Sequence, residues 1–549
     1  MPKALLACIT CVLVCGCNSL AHFNSALDVA ARSDQHDGRP VYRPPTPSTP
    51  GLVRATLQVD GYRGNPKVLF FLALSGGGSR AAYFSASTML KLQTVFSDID
   101  LLGEVDVISS VSGGSLPAAY YAASRDRNLT VPGVLRQSVP TIGEEVVRSP
   151  ERLRLWNDGT VRELMKRDYL LRSTLNWFWP TNLAAYWLTS YDRSDIMAKT
   201  LEDNLYDTPI LGEALTFADL NPRRPYLILN ATNATGQAMK DPIPDVFSFG
   251  SVFTFTQDDF AERLNSDIRA FPIARAVQAS AAFPAIYANV TLRDFRPNPV
   301  PECEQGYAHR NDDLCDPRYL HVFDGGNSDN LGLRSIKRAL FELKVTEQLE
   351  EYDKVIVLLV DAFTRPKGAG RTDFDPRSAF GRLLDPNFSD AVDSLLQANR
   401  ASLVGEFREG VLGWRNECGR ASVRHLPPRL CDQLSQLLRG PLDLQKELVF
   451  YHFSFEAAPA DLKPKLDAIA TSFSIADQEA DDIDSVVNYV LTERNPCLVQ
   501  LRLTLLNDPS VTGSSAQSAC SGESVPKTRL TGDDDQTPGA ISAPVEEKK

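Results

Sequence analysis

Uninterrupted apolar runs of strand length recur along the chain, and segments of helical character lie between them. The clearest runs are residues 68–74, 226–229, 355–360 and 448–455. A strand that is covered on both faces of a sheet gives such a continuous run, whereas a half-exposed strand alternates apolar and polar residues. Helical segments are predicted at 81–95, 390–407 and 476–493. This alternation predicts an undivided layered α/β domain with a mainly parallel central sheet.

Two small-residue turns follow apolar runs and lead directly into helices. Residues 68–74 continue into the stretch 76–80, GGGSR, while a mostly apolar run at 105–108 leads through 110–114, SVSGG, into a helical segment at 116–123. A serine on a sharp strand-to-helix turn projects its hydroxyl from the end of a sheet, although a serine–glycine turn alone is equally often plain structure. Ser112 is therefore a candidate nucleophile.

The glycine-rich turn supplies candidate donors for a developing negative charge. The residues Gly76, Gly77 and Gly78 carry no side chains, so their N–H groups can point at one anionic atom. The helix that follows adds partial positive charge at its N-terminus. These three amides are the candidate oxyanion hole.

A dinucleotide-binding interpretation competes for the same turn. Residues 76–81 also fit the Gly-x-Gly-x-x-Ala fingerprint, which requires an acidic residue at the end of the next strand. Asp98 and Asp100 have nearly the right separation but precede that strand, which leads to Ser112 instead. The order of residues thus favours hydrolysis over cofactor binding.

A third turn offers a base. Residues 321–327, HVFDGGN, carry an apolar strand end into a glycine turn with Asp324 at the junction. A carboxylate at this place can reach a turn on a neighbouring strand, although most Asp-Gly turns are only structural.

A Ser-His-Asp triad fits less well, because a histidine should follow the acid in a loop after a strand. His321 precedes Asp324 on the same predicted strand, and His452 lies inside an apolar run. His309 and His425 lie in loops bounded by cysteines. A two-residue site of serine and aspartate is therefore favoured.

Together the three turns resemble the motifs of the patatin-like phospholipase family. Its Gly-Gly-Gly-x-Arg motif matches residues 76–80, its Gly-x-Ser-x-Gly elbow matches 110–114, and its Asp-Gly-Gly motif matches 324–326. A fourth stretch, 279–284 or ASAAFP, is similar to the family's Ala-Ser-x-Ala-x-Pro segment. The resemblance implies a three-layer α/β/α fold with a mainly parallel central sheet.

The resemblance also implies a mechanism without a cofactor or metal. Asp324 would accept the proton of Ser112, and the glycine amides of residues 76–78 would stabilise the oxyanion. Arg80 would either place positive charge near a lipid phosphate or anchor the loop. Two positions depart from the family, since Ser110 replaces the first elbow glycine and Ala81 replaces a glycine after the arginine.

The N-terminus predicts export. Residues 1–16 combine one lysine with a short apolar run and small residues, as in a signal peptide. The end of this leader resembles a lipobox, which implies lipidation of Cys17 and, since Asn18 follows, an outer-membrane lipoprotein of a Gram-negative bacterium facing the periplasm or the cell surface. A plain secretory signal is the alternative. The formal net charge of -12 argues against nucleic acid as a partner.

The rest of the chain divides by composition. Residues 17–60 are predicted to be a lipid-anchored flexible tether, 61–508 the acyl hydrolase domain, and 509–549 a disordered tail. Within the domain, 123–225 is a helical insertion that holds four of the five tryptophans, which lie either in the core or at a membrane interface.

The cysteines outside the leader form three local pairs that suggest disulfides, free buried thiols being the alternative. The pairs are Cys303 with Cys315, Cys418 with Cys431, and Cys497 with Cys520.

The predicted function is hydrolysis of fatty-acyl esters of membrane phospholipids or related lipids by a serine acyl hydrolase. Two alternatives stay open. One is a neutral-lipid or lysophospholipid esterase that uses the same site, and the other is a catalytically silent lipoprotein that uses the α/β body for binding. Membrane lipid is the expected partner as the substrate of the enzyme, and the protein partners are not specified by the sequence.

Overall fold

The computed structural model describes residues 25–26, 65, 67–125, 154–188, 191–206, 214–221, 224–235, 250–283, 287–295, 318–345, 348–364, 397, 399–408, 447–469 and 471–506. The predicted signal peptide, Cys17, nearly all of the predicted tether and the tail at 509–549 lie outside these residues. In the portion described, no helix has both the length and the apolar character needed to cross a membrane.

The elements are numbered here in chain order. The strands are β1 Ser25–Ala26, β2 Val68–Leu74, β3 Val107–Val111, β4 Ser124–Arg125, β5 Arg154–Leu155, β6 Tyr226–Asn233, β7 Val252–Phe255, β8 Ser266–Asp267, β9 Val290–Asp294, β10 Arg318–Asp324, β11 Lys354–Asp361 and β12 Glu447–Ser454. The helices are α1 Gly78–Thr94, α2 Ser115–Ala122, α3 Asp158–Lys166, α4 Tyr169–Trp177, α5 Pro180–Leu188, α6 Arg193–Asn204, α7 Gln257–Leu264, α8 Ile273–Ser280, α9 Gly326–Asp329, α10 Leu333–Val345, α11 Lys463–Ala468, α12 Asp477–Val490 and α13 Pro496–Leu505. Residues 399–408 are also helical.

One eight-stranded sheet forms the centre, with the order β12-β11-β2-β3-β6-β10-β9 and with β7 paired to β6. The five strands from β12 to β6 run parallel to one another, while β10, β9 and β7 join antiparallel. The mainly parallel sheet is therefore confirmed. Its antiparallel part was not predicted, because those strands are short or only partly apolar.

The β2 strand shows why the sheet has helices on both faces. Phe70, Leu72 and Leu74 belong to a core shared with α1 and α12, whereas Leu69 and Phe71 belong to a second core shared with α10 and residues 403–407. Successive side chains of a strand point to opposite faces, so a strand that is apolar throughout needs two covering layers. Each such side chain contributes about 1.5–3 kcal/mol when fully buried. The three-layer α/β/α architecture is confirmed.

The β3 strand differs from the apolar run that precedes the serine turn. The run predicted at 105–108 contributes only its last two residues, and the strand continues through Ser109 and Ser110 to Val111. Both serines are fully buried, and the Ser109 hydroxyl donates to the carbonyl oxygen of Gly332 at 2.7 Å. Buried serines with satisfied hydroxyls can occupy a central strand, which is why hydrophobicity alone ended the run too early.

The described part of the 123–225 insertion is mainly helical and contains α3, α4, α5 and α6. Its tryptophans divide between two environments. Trp156 is buried against Tyr121, with ring centroids 4.8 Å apart, whereas Trp179 and Trp187 are exposed. Trp177 is half-buried.

Among the predicted disulfide cysteines, Cys497 lies at the start of α13 and is disulfide-bonded. The others lie outside the described residues, namely Cys303, Cys315, Cys418, Cys431 and Cys520. The three pairings stay predictions.

Candidate active site

The register of the sheet brings the serine turn and the aspartate turn to the same edge. Val111, the last residue of β3, pairs with Asn230 of β6. Asp324, the last residue of β10, pairs with Ala231, which is the next residue along β6. Because β10 runs antiparallel to β6, its final residue arrives beside the end of β3, and Ser112 and Asp324 meet across the intervening strand.

Ser112 has the backbone geometry of a nucleophile on a sharp turn. Its φ angle is 49°, in the left-handed region that non-glycine residues rarely adopt. The next residue must be glycine, because a β-carbon at Gly113 would lie 2.0 Å from the carbonyl oxygen of Gly78. The strained turn therefore holds the serine against the glycine-rich loop and aims its side chain away from the sheet.

The Ser112 hydroxyl donates a hydrogen bond to Asp324 Oδ2 at 2.9 Å. The other carboxylate oxygen, Oδ1, accepts from the backbone N–H of Gly326 at 2.7 Å. Asp324 is buried, and burial raises its pKa to about 6 although both hydrogen bonds oppose the rise. A carboxylate with a pKa near neutrality is a better proton acceptor than an ordinary aspartate.

The three predicted oxyanion glycines are not equivalent. The N–H of Gly76 donates to the carbonyl oxygen of Asn330 at 2.9 Å, so it is already engaged. No acceptor among the described residues takes the amide hydrogens of Gly77 and Gly78, which have φ angles of 139° and 63°. These two amides stand at the N-terminus of α1 and are the donors available to an oxyanion.

Arg80 anchors the glycine-rich loop. The side chain is buried, and it donates to the carbonyl oxygens of Ala362 and Ile469 at 3.0 and 2.6 Å and to the Thr471 hydroxyl at 3.2 Å. These three acceptors are neutral, and the backbone N–H of Ser79 donates to the carbonyl oxygen of Ser472 at 2.8 Å. Of the two roles expected for Arg80, these contacts support the anchor.

Ser280 supports the elbow from α8. Its hydroxyl accepts from the backbone N–H of Ser112 at 3.1 Å and donates to the carbonyl oxygen of Asn230 at 2.6 Å. It also contacts the Ser115 hydroxyl at 2.9 Å, which in turn lies 3.2 Å from Ser110 Oγ. The departure at Ser110 is thus accommodated by a buried chain of hydroxyls beneath the elbow.

Asn330 is a polar residue at the site that the sequence did not single out. A β-carbon at Gly76 would lie 2.2 Å from Asn330 Oδ1, and one at Gly326 would lie 2.9 Å from the same atom. The side-chain amide therefore lies between the oxyanion loop and the aspartate turn. No hydrogen bond joins this side-chain amide to another described residue, whereas the backbone carbonyl of Asn330 accepts from Gly76. Asn330 lies six residues after Asp324, outside the four motifs identified in the sequence.

The histidines that could have completed a triad lie elsewhere. The His321 side chain contacts the Thr291 hydroxyl at 3.0 Å, and that of His452 contacts Asp361 at 3.0 Å. His309 and His425 lie outside the described residues. The described chain also contains no group of three metal-ligating side chains.

The acidic residues of the dinucleotide interpretation are used in other ways. Asp98 forms an ion pair with Arg502, and Asp100 accepts from the backbone N–H of Gly103 at 2.8 Å. The strand that follows, β3, ends at Ser112. This arrangement agrees with the hydrolytic interpretation.

Aromatic side chains border the dyad. The backbone N–H of Asp324 donates to Ala282, and the next residue, Phe283, is exposed. The Tyr287 hydroxyl has no hydrogen-bond partner among the described residues. Its ring lies edge-on to that of Phe473, with centroids 5.8 Å apart. Phe473 directly follows the Ser472 that is bonded to the oxyanion loop. An apolar rim formed by these aromatic residues thus lies beside the site.

A three-layer α/β/α domain with a serine on a left-handed strand-to-helix turn is the arrangement that serine acyl hydrolases use. Residues 72–336 match the family model described as patatin-like phospholipase. The matched range includes the glycine-rich loop, Ser112 and Asp324, so residues 72–336 form a patatin-like phospholipase domain. The resemblance seen in the motifs is therefore confirmed.

Solved structures give distant similarities. Human GIVD cytosolic phospholipase A2 is 13% identical with a TM-score of 0.40, and the match covers 88% of this chain and 65% of that protein. VipD from Legionella pneumophila is 12% identical with a TM-score of 0.23, covering 78% of this chain and 67% of that one. The chain thus spans less than two thirds of the length of the human enzyme. No curated protein sequence matches significantly.

Proposed function

We propose that this chain hydrolyses fatty-acyl esters of membrane phospholipids through a dyad of Ser112 and Asp324. The observation that carries the proposal is the 2.9 Å hydrogen bond from the Ser112 hydroxyl to Asp324 Oδ2. A nucleophile on a strained turn, a buried base in direct contact and two unengaged amides provide the parts that acyl transfer needs. The apolar rim favours a substrate with hydrocarbon chains.

The first half-reaction follows from this arrangement. Asp324 takes the proton from Ser112 Oγ as that oxygen forms a bond to the ester carbonyl carbon. The carbonyl oxygen becomes negative and accepts hydrogen bonds from the amides of Gly77 and Gly78. The intermediate then collapses, the alkoxy leaving group departs with the proton from Asp324, and the acyl group remains on Ser112.

Water completes the reaction. Asp324 removes a proton from a water molecule whose oxygen attacks the acyl carbon, and the same amides stabilise the second oxyanion. Collapse returns the proton to Ser112 Oγ and releases the fatty acid. No histidine takes part in this sequence.

The location is also a proposal. The leader at residues 1–16 and the lipobox-like ending support export and acylation of Cys17, which would hold the chain at the outer membrane of a Gram-negative bacterium. A Cys17→Ser chain that still incorporates labelled palmitate would contradict the anchor. Membrane association in that case would have to come from the domain itself.

The decisive experiment is a hydrolysis panel with the purified chain and its Ser112→Ala variant. The panel contains a diacyl phospholipid, a lysophospholipid and a triacylglycerol, each presented in mixed micelles. Preferential release of fatty acid from the diacyl phospholipid by the wild type alone supports the proposal. Preference for one of the other two lipids would replace it with the corresponding esterase activity.

A fluorophosphonate probe distinguishes an enzyme from a silent binding protein. The probe should label the wild type and leave Ser112→Ala unlabelled, since the activated serine attacks phosphorus as it attacks a carbonyl carbon. A wild-type chain that stays unlabelled and hydrolyses none of the three lipids would refute catalysis. Circular dichroism of both proteins shows that the comparison is made between folded chains.

A further inference from the structure

The largest group of exposed apolar side chains lies on two consecutive short helices of the insertion, α4 and α5, which we call the hairpin. Of the ten large hydrophobic side chains that are exposed in the described residues, seven belong to residues 169–188. They are Leu171, Leu175, Phe178, Trp179, Leu183, Trp187 and Leu188. Isolated exposed hydrophobic residues are normal, but a contiguous group marks an interaction surface.

The α4 helix carries apolar side chains on both its inward and its outward face. Tyr169 belongs to the core and Leu170 packs against it, while the Asn176 side chain donates to Thr200 of α6 at 2.8 Å. The positions that point outward include Leu171 and Leu175, two large apolar residues one turn apart. A helix that only covered the core would place leucines inward and polar residues outward.

The α5 helix is even less consistent with a role in the core, because none of its residues is buried. It is held to α4 by a hydrogen bond from one of its own side chains and by aromatic contact. Asn182 donates to the carbonyl oxygen of Asn176 at 2.9 Å, and the rings of Trp177 and Tyr186 have centroids 5.2 Å apart. Trp179 and Trp187 remain 64% and 75% exposed.

The charge of the hairpin differs from that of the chain as a whole. Acidic residues number 69 in 549, yet residues 169–188 contain none, and Arg172 is their only charged residue. Arg172 is exposed and donates to the neutral Asn204 side chain at 2.7 Å. No carboxylate in the described chain pairs with it. An exposed cation in an apolar aromatic surface without acidic residues complements lipid phosphate and acyl chains.

The hairpin is connected to the rim of the active site through α6. The Asn176 side chain bonds α4 to α6 at 2.8 Å. Ser194, near the start of α6, donates to the carbonyl oxygen of Ala288 at 2.7 Å. The neighbouring Tyr287 packs on Phe473 at the rim. Direct contacts therefore join the elements that hold the hairpin to those that border the site.

We propose that the α4–α5 hairpin is a docking surface for a phospholipid bilayer, with Trp179 and Trp187 at the level of the head groups and Arg172 on lipid phosphate. The inference rests on the proposed function only in its purpose, which is to bring the site to an aggregated substrate. The docking surface would be a second membrane attachment besides the lipid anchor proposed at Cys17, and it would belong to the folded domain.

The test measures binding of the full chain to vesicles in the Cys17→Ser background, which excludes the proposed anchor. Vesicles of phosphatidylcholine with one fifth phosphatidylglycerol are separated by flotation. Trp179→Ser combined with Trp187→Ser should lower the partition coefficient at least about tenfold, because two indoles leave the interface. Tyr489→Ser is the matched control, since Tyr489 is 62% exposed on α12, and it should leave partitioning unchanged.

Two further measurements examine the depth and the charge of the contact. Brominated lipid should quench tryptophan fluorescence of the wild type, and the quenching should fall sharply in the double variant, which keeps Trp156, Trp177 and Trp414 but lacks the two exposed indoles of the hairpin. Arg172→Gln should reduce the binding gained from phosphatidylglycerol by about fivefold, the effect of one cation near an anionic surface. Circular dichroism shows whether each variant is folded. If the double tryptophan variant is misfolded, the single variant Trp187→Ser takes its place in the binding assay.

Several results would overturn the proposal. The wild type could fail to bind vesicles, or the double variant could bind as well as the wild type. Loss of a concentration-dependent dimer in the double variant would instead assign the hairpin to a second copy of the chain. The proposed function is tested separately, because Ser112→Ala should bind vesicles normally. Binding with no hydrolysis in any variant would retain the docking surface and refute only the enzyme.

Discussion

Asp324→Asn should stabilise the folded chain while abolishing hydrolysis. The wild-type carboxyl is buried, and burial raises its pKa from 3.8 in the unfolded reference to about 6. The substitution keeps the size of the side chain, and its Oδ1 can still accept from the backbone N–H of Gly326. Its amide can donate to Ser112 but cannot accept a proton. Activity should fall by about 10²–10⁴, the usual contribution of a positioned base.

The sign of the stability effect follows from the direction of the pKa shift. A raised folded-state pKa means that the contribution of Asp324 is fully present below pH 3.8 and is lost as pH rises through about 6. The shift corresponds to about 3 kcal/mol, at about 1.4 kcal/mol per pH unit. Asparagine never ionises and escapes this loss. The variant should therefore gain on the wild type by about 3 kcal/mol between pH 4 and pH 7 and stay level above that range.

Urea denaturation of both proteins across this pH range measures the difference, and Asp361→Asn provides a control of opposite sign. Asp361 is equally buried at the end of β11, but hydrogen bonds and charges from His452 and Arg400 outweigh burial and hold its pKa below the usual value. Its contribution is present above the unfolded pKa and is lost as pH falls. Asp361→Asn should hence lose stability relative to the wild type as pH rises. A constant difference between Asp324→Asn and wild type from pH 4 to pH 8 would refute the reasoning.

Four other outcomes are expected. The kcat/KM of the wild type on a soluble ester should fall about tenfold for each pH unit below about pH 6, as Asp324 becomes protonated; a flat profile down to pH 4.5 would exclude it as the base. Asn330→Ala should lower kcat about 10–100-fold, as expected for loss of a polar group at the oxyanion, with unfolding unchanged in urea; full activity would leave it a loop residue. Ser280→Ala should cost about 2 kcal/mol in the same unfolding assay, because the amide of Ser112 loses its acceptor, and an unchanged midpoint would contradict the contact. Arg80→Met should cost about 3 kcal/mol, since buried carbonyl oxygens lose their donors, whereas an effect on phosphate-bearing substrates alone would favour the phosphate role.

The central sheet and its turns could be predicted because the signal is local. The β2 strand occupies the predicted residues 68–74, since an apolar run between two turn signals has few other ways to fold. The turns that hold Ser112 and Asp324 were recognisable from small residues that only a tight approach requires. The contact between Ser112 and Asp324 was harder to predict, because it depends on β10 running antiparallel to β6. The sequence of a strand does not indicate its direction relative to its neighbours.

The limits of sequence reasoning are equally physical. Nothing in three successive glycines shows that the amide of Gly76 is engaged by a backbone carbonyl 254 residues later, at Asn330. Likewise, the spacing of tryptophans along a helix does not show whether their side chains face the protein core or a membrane. Trp156 and Trp187 illustrate the two outcomes within one insertion. Only the packing of neighbouring elements separates them.

Ser110 shows which parts of the elbow are physically required. The family motif places glycine there, so a serine raised the question of a weakened site. Yet the left-handed conformation falls on Ser112, the close backbone approach falls on Gly113, and Ser110 has neither. The Ser110 hydroxyl lies 3.4 Å from the carbonyl oxygen of Ile228 and accepts from the Ser115 hydroxyl at 3.2 Å, so the space beneath the turn is filled with satisfied polar groups. The requirement at this position is a small side chain that leaves no orphaned polar atom, and serine meets it as long as Ser115 is present.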